Sequence, residues 1–358
     1  RAFQPDPLMV SAIIWAVWAA WRWSMQPGWK WAVTAGILAG LAILVKSVAG
    51  FFVAGAWVGL LLSSWGMKRV FKSMPFYAAA ILAVLPFSLF TYYGLTISGE
   101  MAGQFSLRFF PNLWVDPVWY LRWNGEISSV VGFEWFLISL IGVFLMRQSV
   151  GRWMMVGLFA GYLAFSFALP YHAMTHDYYQ LPLISVVALG AGAALSALMA
   201  RLDGPRWLYT AAVIGVLVYW TGIKAWDTRV TLKRDDYRGE PQLWQMLGEK
   251  LGHDSSVLAI TQDYGYRLEY WGWLTPQNWM NSGDFMVREL AGQEFDREKL
   301  FREQVEGKDY FLVTSFGEFD SQVEFKQLMV NTFPILEDTS EYIIFDLKNP
   351  LNTGGGSK

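Results

Sequence analysis

Residues 153–200 read WMMVGLFAGYLAFSFALPYHAMTHDYYQLPLISVVALGAGAALSALMA, and in this run two strongly apolar segments flank a short polar link. Trp153–Leu169 and Leu183–Ala200 are each apolar enough to be a membrane helix. The link, Pro170–Pro182, holds two histidines, one carboxylate and three tyrosines. Such side chains are costly in lipid, so the link is predicted to lie at a membrane surface or in a wet cavity. It is the leading candidate for a functional centre.

The composition of the whole chain indicates a polytopic membrane protein. Hydrophobic residues make up 54% of the 358 residues and charged residues 16%, with 20 Trp and 25 Phe. The mean hydropathy of +0.27 is too high for a soluble domain of this length. A net charge of −2 gives no basic field, so nucleic acid is disfavoured as a partner. The absence of cysteine excludes disulfides, thiolate metal sites and cysteine nucleophiles.

Residues 1–223 are predicted to form a bundle of about eight membrane helices. The segments are Leu8–Trp21, Trp31–Val45, Ser47–Trp65, Met74–Ile97, Val130–Met146, Trp153–Leu169, Leu183–Ala200 and Leu208–Gly222. A long polar and aromatic loop, residues 98–129, is predicted between the fourth and fifth segments. Glycines recur within the segments, which favours close helix packing.

The distribution of basic residues predicts the orientation of this bundle. Alternate links carry Arg22, Lys30, Lys68, Arg69, Lys72, Arg147, Arg152, Arg201 and Arg206, whereas the opposite links carry Arg1, Lys46, Arg108 and Arg122. By the positive-inside rule the first set is cytoplasmic. The loop over residues 98–129 and the link over residues 170–182 are therefore expected to face outward.

Residues 224–350 have the composition of a soluble domain, expected on the outer side, and residues 351–358 that of a flexible tail. Helical patterns alternate with short apolar strands, Ser256–Thr261 and Asp309–Thr314, and a closing hairpin is predicted near the end. This order indicates an α/β layer fold. An aromatic cluster formed by Tyr264, Tyr266, Tyr270, Trp271, Trp273 and Trp279 could stack against a sugar, or pack the domain onto its neighbour.

Polar side chains at the predicted outer face could bind an anionic lipid. Arg108, Arg122 and Lys46 could grip a phosphate, although each could instead extend to the interface beside lipid. Asp6 precedes Pro7 at the first turn of a helix, where a carboxylate could serve as a cap. Glu126 lies in the outer loop and is a further accessory candidate.

The two histidines of the link allow several roles. His172 and His176 could donate to a phosphate, relay a proton or cap the following helix. Together with Asp177 they could also form a site for a divalent metal ion, although no third histidine is nearby in the sequence. The sequence therefore predicts no certain cofactor.

Three motifs together resemble the GT-C glycosyltransferases: Phe3–Met9 (FQPDPLM), Val45-Lys46-Ser47, and His176–Pro182 (HDYYQLP). The branch with protein O-mannosyltransferases and lipid A aminoarabinose transferases is the most similar, over about residues 1–200. The resemblance implies a polyprenyl-phosphate sugar donor, an outward-facing active-site cavity, inversion at the anomeric carbon and a carboxylate base.

The resemblance also assigns roles to individual residues. Asp6 matches the second acidic position of the family's cavity, and Lys46 matches the lysine after its short helix. His176, Tyr178 and Tyr179 match the link that approaches the lipid phosphate. The family's principal carboxylate follows an earlier membrane helix, so we expect these residues to lack an N-terminal part, and to bind donor without transferring sugar.

The sequence therefore predicts a membrane glycosyltransferase acting on the extracytoplasmic face of a bacterial-type inner or plasma membrane. Its expected partners are a polyprenyl-phosphate sugar, membrane lipids, and an acceptor that is a glycan, a lipid or a protein. The alternative is a noncatalytic membrane subunit of a larger complex, built on a truncated glycosyltransferase-like scaffold. A transporter is disfavoured, because charged residues avoid the helix interiors.

Overall fold

The computed structural model describes residues 5–99, 101, 109–202, 204–234, 236–293 and 296–351. Contacts between Cα atoms divide the chain into two units, Arg1–Ala212 and Val213–Lys358. Arg108, one of the predicted phosphate-binding residues, lies outside the described residues.

The first unit is helical. Its helices are α1 (Asp6–Met25), α2 (Trp29–Val45), α3 (Ala49–Trp65), α4 (Met67–Phe71), α5 (Met74–Tyr92), α6 (Pro117–Val130), α7 (Phe133–Leu145), α8 (Ser149–Ala168), α9 (Pro170–Thr175) and α10 (Pro182–Met199). A π-helical turn, Tyr93–Ile97, continues α5, and 3₁₀ turns form at Pro111–Val115 and Asp177–Gln180. Helix α11 (Arg206–Arg234) follows and extends past Gly222, the residue at which the hydropathy pattern ends.

Five of the described helices are long and apolar enough to cross a membrane: α1, α5 with its π-helical turn, α8, α10 and α11. The pair α6 and α7, bent by 87°, could form one broken span. Helices α2 and α3 are apolar but have 17 residues each. All eight predicted segments thus contain a helix, while the number of crossings stays a prediction. The long apolar helices and the helical content agree with a membrane helical bundle.

The structure corrects the loop predicted over residues 98–129. Part of it is helix α6, whose first turn is stabilised because the Asp116 carboxylate accepts a hydrogen bond from the Val118 amide at 2.9 Å. Pro117 occupies the first turn, where its missing N–H is not needed. The Asp-Pro pair is the same helix-start signal that occurs at residues 6 and 7.

Backbone contact between α3 and α8 depends on glycine. Gly55 and Gly59 on α3 lie against the backbone carbonyls of Gly157 and Trp153 on α8. A methyl group at either glycine would overlap these oxygens, so the helices can approach this closely only without a side chain.

The second unit contains a five-stranded sheet in the order β2-β1-β3-β5-β4. The strands are β1 (Val257–Ile260), β2 (Gln277–Asn278), β3 (Tyr310–Val313), β4 (Ile335–Asp338) and β5 (Ile343–Asp346). Strands β1, β2 and β3 are parallel, and β5 is antiparallel to both β3 and β4. The predicted strands and closing hairpin are present with slightly shorter bounds.

Helices cover both faces of this sheet. They are α12 (Glu240–Leu251), α13 (Tyr266–Gly272), α14 (Ser282–Leu290), α15 (Arg297–Val305), α16 (Phe316–Ser321) and α17 (Val323–Thr332). Alternate residues of β1 enter separate hydrophobic cores, one with α12 and α13 and the other with α14 to α17. The unit is therefore an α/β layer structure. Its solubility and its side of the membrane stay predictions.

We predict that Gly55→Ala destabilises the helical unit, because the added methyl group meets backbone rather than a side chain that can move. Overpacking of this kind typically costs about 1–3 kcal/mol. Gly192→Ala on α10 is the matched control, since among the described residues its added methyl group would meet no atom within 4 Å beyond its chain neighbours and the adjacent backbone of its own helix. Thermal unfolding in detergent should show a lower Tm for the first variant alone. Equal Tm values for the two variants would contradict this packing.

Candidate functional site

An ion pair joins the start of α1 to the turn between α2 and α3. The Lys46 ammonium donates to Asp6 Oδ1 at 2.7 Å, and the Asp6 side chain is 1% exposed while that of Lys46 is 18% exposed. Asp6 makes no capping hydrogen bond with α1 among the described residues, so the capping interpretation is not supported. Lys46 is therefore the member of the ion pair that a ligand could reach.

Lys46 occupies this position because α2 ends immediately before it. Its extended backbone begins a tight turn, in which the amides of Ala49 and Gly50 donate to the carbonyls of Lys46 and Ser47 at 3.0 Å each. The chain then reverses into α3. The ammonium is thereby presented at the end of α2, beside the first residue of α1.

Two tyrosine rings of the polar link lie beside this ammonium. Lys46 Nζ is 4.4 Å from the ring centroid of Tyr178 and 4.0 Å from that of Tyr179. Both distances are within the range of cation–π attraction. The structure therefore brings together Asp6, Lys46 and the link, three polar sites that are well separated in the sequence.

The histidines extend this cluster. The ring centroids of His176 and Tyr178 are 5.0 Å apart, and those of His172 and Tyr179 are 5.4 Å apart. His176 Nδ1 shares a 2.6 Å hydrogen bond with the Thr175 hydroxyl. The helix that follows the link has no side-chain cap among the described residues, so capping does not explain either histidine.

A buried chain of hydrogen bonds fixes the link to α6 and α8. Trp123 Nε1 donates to the Tyr162 hydroxyl at 2.8 Å, and that hydroxyl donates to Gln180 Oε1 at 2.6 Å. Gln180 Nε2 in turn donates to the Ala173 carbonyl at 2.9 Å. Sequence reasoning missed these supporting residues. Gln180 could have indicated them, because it precedes the apolar segment that begins at Leu181-Pro182, and a side-chain amide that is buried there needs hydrogen-bond partners.

The remaining candidates have different surroundings. Glu126 on α6 and Asp177 lie close enough to repel each other electrostatically, and Asp177 is exposed. Arg122 is exposed on α6 and forms no ion pair or hydrogen bond with another described residue. The structure thus places Arg122 on a helix that supports the link, without joining it to the Asp6–Lys46 pair.

A metal centre finds no support in the described part of the chain. It contains no group of three or more His, Asp or Glu side chains arranged to hold a metal ion. His172 and His176 stack with ring centroids 6.1 Å apart instead of converging on one point together with a carboxylate.

The electrostatic environment of His176 favours its neutral form. Burial lowers the pKa of His176 below its ordinary value of 6.5, and the nearby Lys46 ammonium lowers it further. The Asp177 carboxylate acts in the opposite direction. At neutral pH the imidazole can therefore either donate or accept a hydrogen bond.

Comparison with known families gives a match for the first part of the chain. Residues 1–93 match the sequence profile of the family described as dolichyl-phosphate-mannose-protein mannosyltransferase. The matched part contains both Asp6 and Lys46, whereas the link and the second unit lie outside it. No curated protein sequence matches the chain. The resemblance to GT-C glycosyltransferases is thus confirmed over residues 1–93, and with the long apolar helices it indicates a multi-pass membrane protein.

We predict that His176 makes the protein less stable in acid. Because its pKa in the folded protein is below 6.5, the unfolded chain takes up a proton first as the pH falls, and stability decreases below pH 6.5. Lowering the pH from about 7.5 to about 5 should reduce the Tm of the wild type more than that of His176→Gln. Equal reductions would show that His176 is not responsible.

Proposed function

We propose that this chain binds a polyprenyl-phosphate sugar and acts in the transfer of that sugar to an acceptor at the extracytoplasmic face. The observation that carries the proposal is the placement of Lys46, an accessible ammonium held by a buried carboxylate and two tyrosine rings. The match of residues 1–93 to a mannosyltransferase family supports the same function.

Lys46 is the proposed primary contact for the donor phosphate. A charge-assisted hydrogen bond from an ammonium to a phosphate is stronger than a neutral one. His176, Tyr178 and Tyr179 surround this ammonium and can supply further donors to phosphate oxygens. Arg122 and Arg108 are proposed as additional cations for the donor, and His172, Asp177 and Glu126 as accessory groups.

Binding of the donor would compete with Asp6 for the lysine. As Lys46 moves from the carboxylate to the phosphate, the Asp6 carboxylate loses its partner and can accept a hydrogen bond from the acceptor hydroxyl. Asp6 is therefore the proposed catalytic carboxylate, activated when the donor is present. In the structure, the Asp6 carboxylate holds the Lys46 ammonium in place through the ion pair.

The reaction itself is a direct displacement. The acceptor hydroxyl gives its proton to the carboxylate, and its oxygen forms a bond to the anomeric carbon. The bond from that carbon to the phosphate oxygen breaks with its electron pair, and polyprenyl phosphate leaves with the anomeric configuration inverted. Lys46 stabilises the charge on the leaving phosphate, which is the contribution expected of a fixed cation.

We predict that the two members of the ion pair affect donor binding differently. Asp6→Asn should bind polyprenyl phosphate as tightly as the wild type or more tightly, because the competing carboxylate is removed. The double variant Asp6→Asn/Lys46→Met should bind it at least about tenfold more weakly, given about 1.5–3 kcal/mol for a hydrogen bond to a charged group. The measurement is equilibrium binding in nanodiscs, with polyprenol lacking the phosphate as control ligand.

The double variant removes both charges and so avoids leaving one buried charge unpaired. Wild-type affinity in this variant would contradict the phosphate-binding role of Lys46. Release of polyprenyl phosphate from a polyprenyl-phosphate hexose then tests the role of Asp6, since Asp6→Asn should bind donor without releasing it. Binding with no release by any form of the chain would contradict the catalytic role of Asp6, and would agree with the expectation from the resemblance that these residues bind donor without transferring sugar.

The proposed orientation, with the link outside, has its own test. Ser129 at the end of α6 and Gln148 between α7 and α8 are both exposed, and the chain contains no cysteine. A membrane-impermeant maleimide applied to intact cells should label Ser129→Cys but label Gln148→Cys only after the membrane is opened. The reverse pattern would overturn the orientation and the outer location proposed for the second unit.

A further inference from the structure

The second unit contains a crevice of the kind that binds ligands in α/β sheets. Strands β1 and β3 are parallel neighbours, and the chain leaves them in opposite directions, from β1 toward β2 and from β3 toward the antiparallel strands. Ligands commonly bind beyond the carboxyl ends of strands at such a reversal of strand order. Here the segment beyond β1 is Thr261–Gly265.

Hydrogen bonds hold this segment in one conformation. Gln262 Nε2 donates to the Thr314 carbonyl at 2.7 Å, and the Thr314 hydroxyl donates to Gln262 Oε1 at 2.8 Å. Asn278 Nδ2 donates to the Tyr264 carbonyl at 2.6 Å. Tyr264 itself adopts a left-handed backbone, φ 57°, which directs a large ring into an exposed position.

Helix α13 continues this aromatic surface. Tyr266 and Tyr270 are one helical turn apart and lie on one face of α13. Trp273 follows the last residue of α13 and has a left-handed backbone, φ 50°. The side chains of Tyr266, Tyr270 and Trp273 are 68%, 72% and 78% exposed. Trp279, which the sequence grouped with them, is instead buried in the core and stacks on Phe325 with ring centroids 4.5 Å apart.

Polar groups lie beside the aromatic rings. Asn281, Asp284 and Glu318 are close enough to Tyr264 to influence its hydroxyl, whose pKa is raised mainly by burial. Glu269 is exposed on α13 between the rings. Over residues 263–273 the one cation, Arg267, is engaged in ion pairs with Glu240 and Asp263.

This combination favours a neutral sugar over a lipid surface. Flat exposed rings can stack on the apolar faces of sugar rings, while amide and carboxylate oxygens accept hydrogen bonds from sugar hydroxyls. A lipid-binding surface would instead combine aromatic side chains with available lysine or arginine. The carboxylates near Tyr264 would repel anionic headgroups.

We propose that Tyr264, the exposed rings of Tyr266 and Tyr270 on α13, and Trp273 directly after α13 form a binding site for a neutral oligosaccharide on the second unit. The proposed site consists of residues of the second unit, and the proposal does not depend on whether the helical unit transfers sugar.

The test uses the full chain in phosphatidylcholine nanodiscs and three neutral probes: mannohexaose, cellohexaose and maltohexaose. Calorimetric titration should detect binding of at least one probe. The double variant Tyr270→Ala/Trp273→Ala should weaken that binding by at least about tenfold, which corresponds to about 1.4 kcal/mol. Trp207→Ala is the control, because Trp207 is a similarly exposed ring on α11 outside the patch.

The proposal is overturned if the wild type binds none of the three probes at millimolar concentration, or if the double variant binds as the wild type does. A second measurement detects contact with lipid. Trp273→Cys, labelled with a bimane fluorophore in this otherwise cysteine-free chain, should not be quenched by nitroxide-labelled lipids. Strong quenching would assign the patch to the membrane interface and also overturn the proposal.

Discussion

The ion pair between Asp6 and Lys46 is the constraint on which the candidate site depends. Removing one member of a buried ion pair typically costs about 3–5 kcal/mol, because the other charge is left without compensation. The pair can form only when the first residue of α1 lies beside the turn between α2 and α3. The ion pair therefore requires the start of α1 to lie beside the end of α2, and it holds the accessible ammonium at that position.

The same bundle also supports the other side of the site. Close contact of α3 with α8 at Gly55 positions the helix that carries Tyr162, and Tyr162 is bonded to Gln180 in the link. Tyr179 stacks on Phe165 of α8 with ring centroids 5.7 Å apart and reaches Lys46 with its ring. Helix packing in the apolar region thus determines where the polar groups of the link meet the lysine.

Hydropathy alone predicts most of the helices and the main strands of the second unit. It also indicates that polar residues such as Asp6 and Lys46 lie at helix ends. The direct pairing of Asp6 with Lys46 could not be predicted, since it depends on how closely α1 approaches the end of α2. Helix α6 was missed because polar residues are frequent along it, although Trp119, Trp123 and Ile127, spaced four residues apart, form its apolar face. The role of Gln180 was hidden because its partner Tyr162 is 18 residues away.

The proposed function requires that Lys46 leaves the buried carboxylate of Asp6 and binds the donor phosphate instead. The most direct measurement is a cryo-electron microscopy structure of the chain in nanodiscs with polyprenyl phosphate bound. We predict a phosphate oxygen about 2.7–2.9 Å from Lys46 Nζ, with the ammonium drawn away from Asp6 and the rings of Tyr178 and Tyr179 still beside it. A phosphate bound elsewhere, with the 2.7 Å contact between Asp6 and Lys46 unchanged, would contradict it.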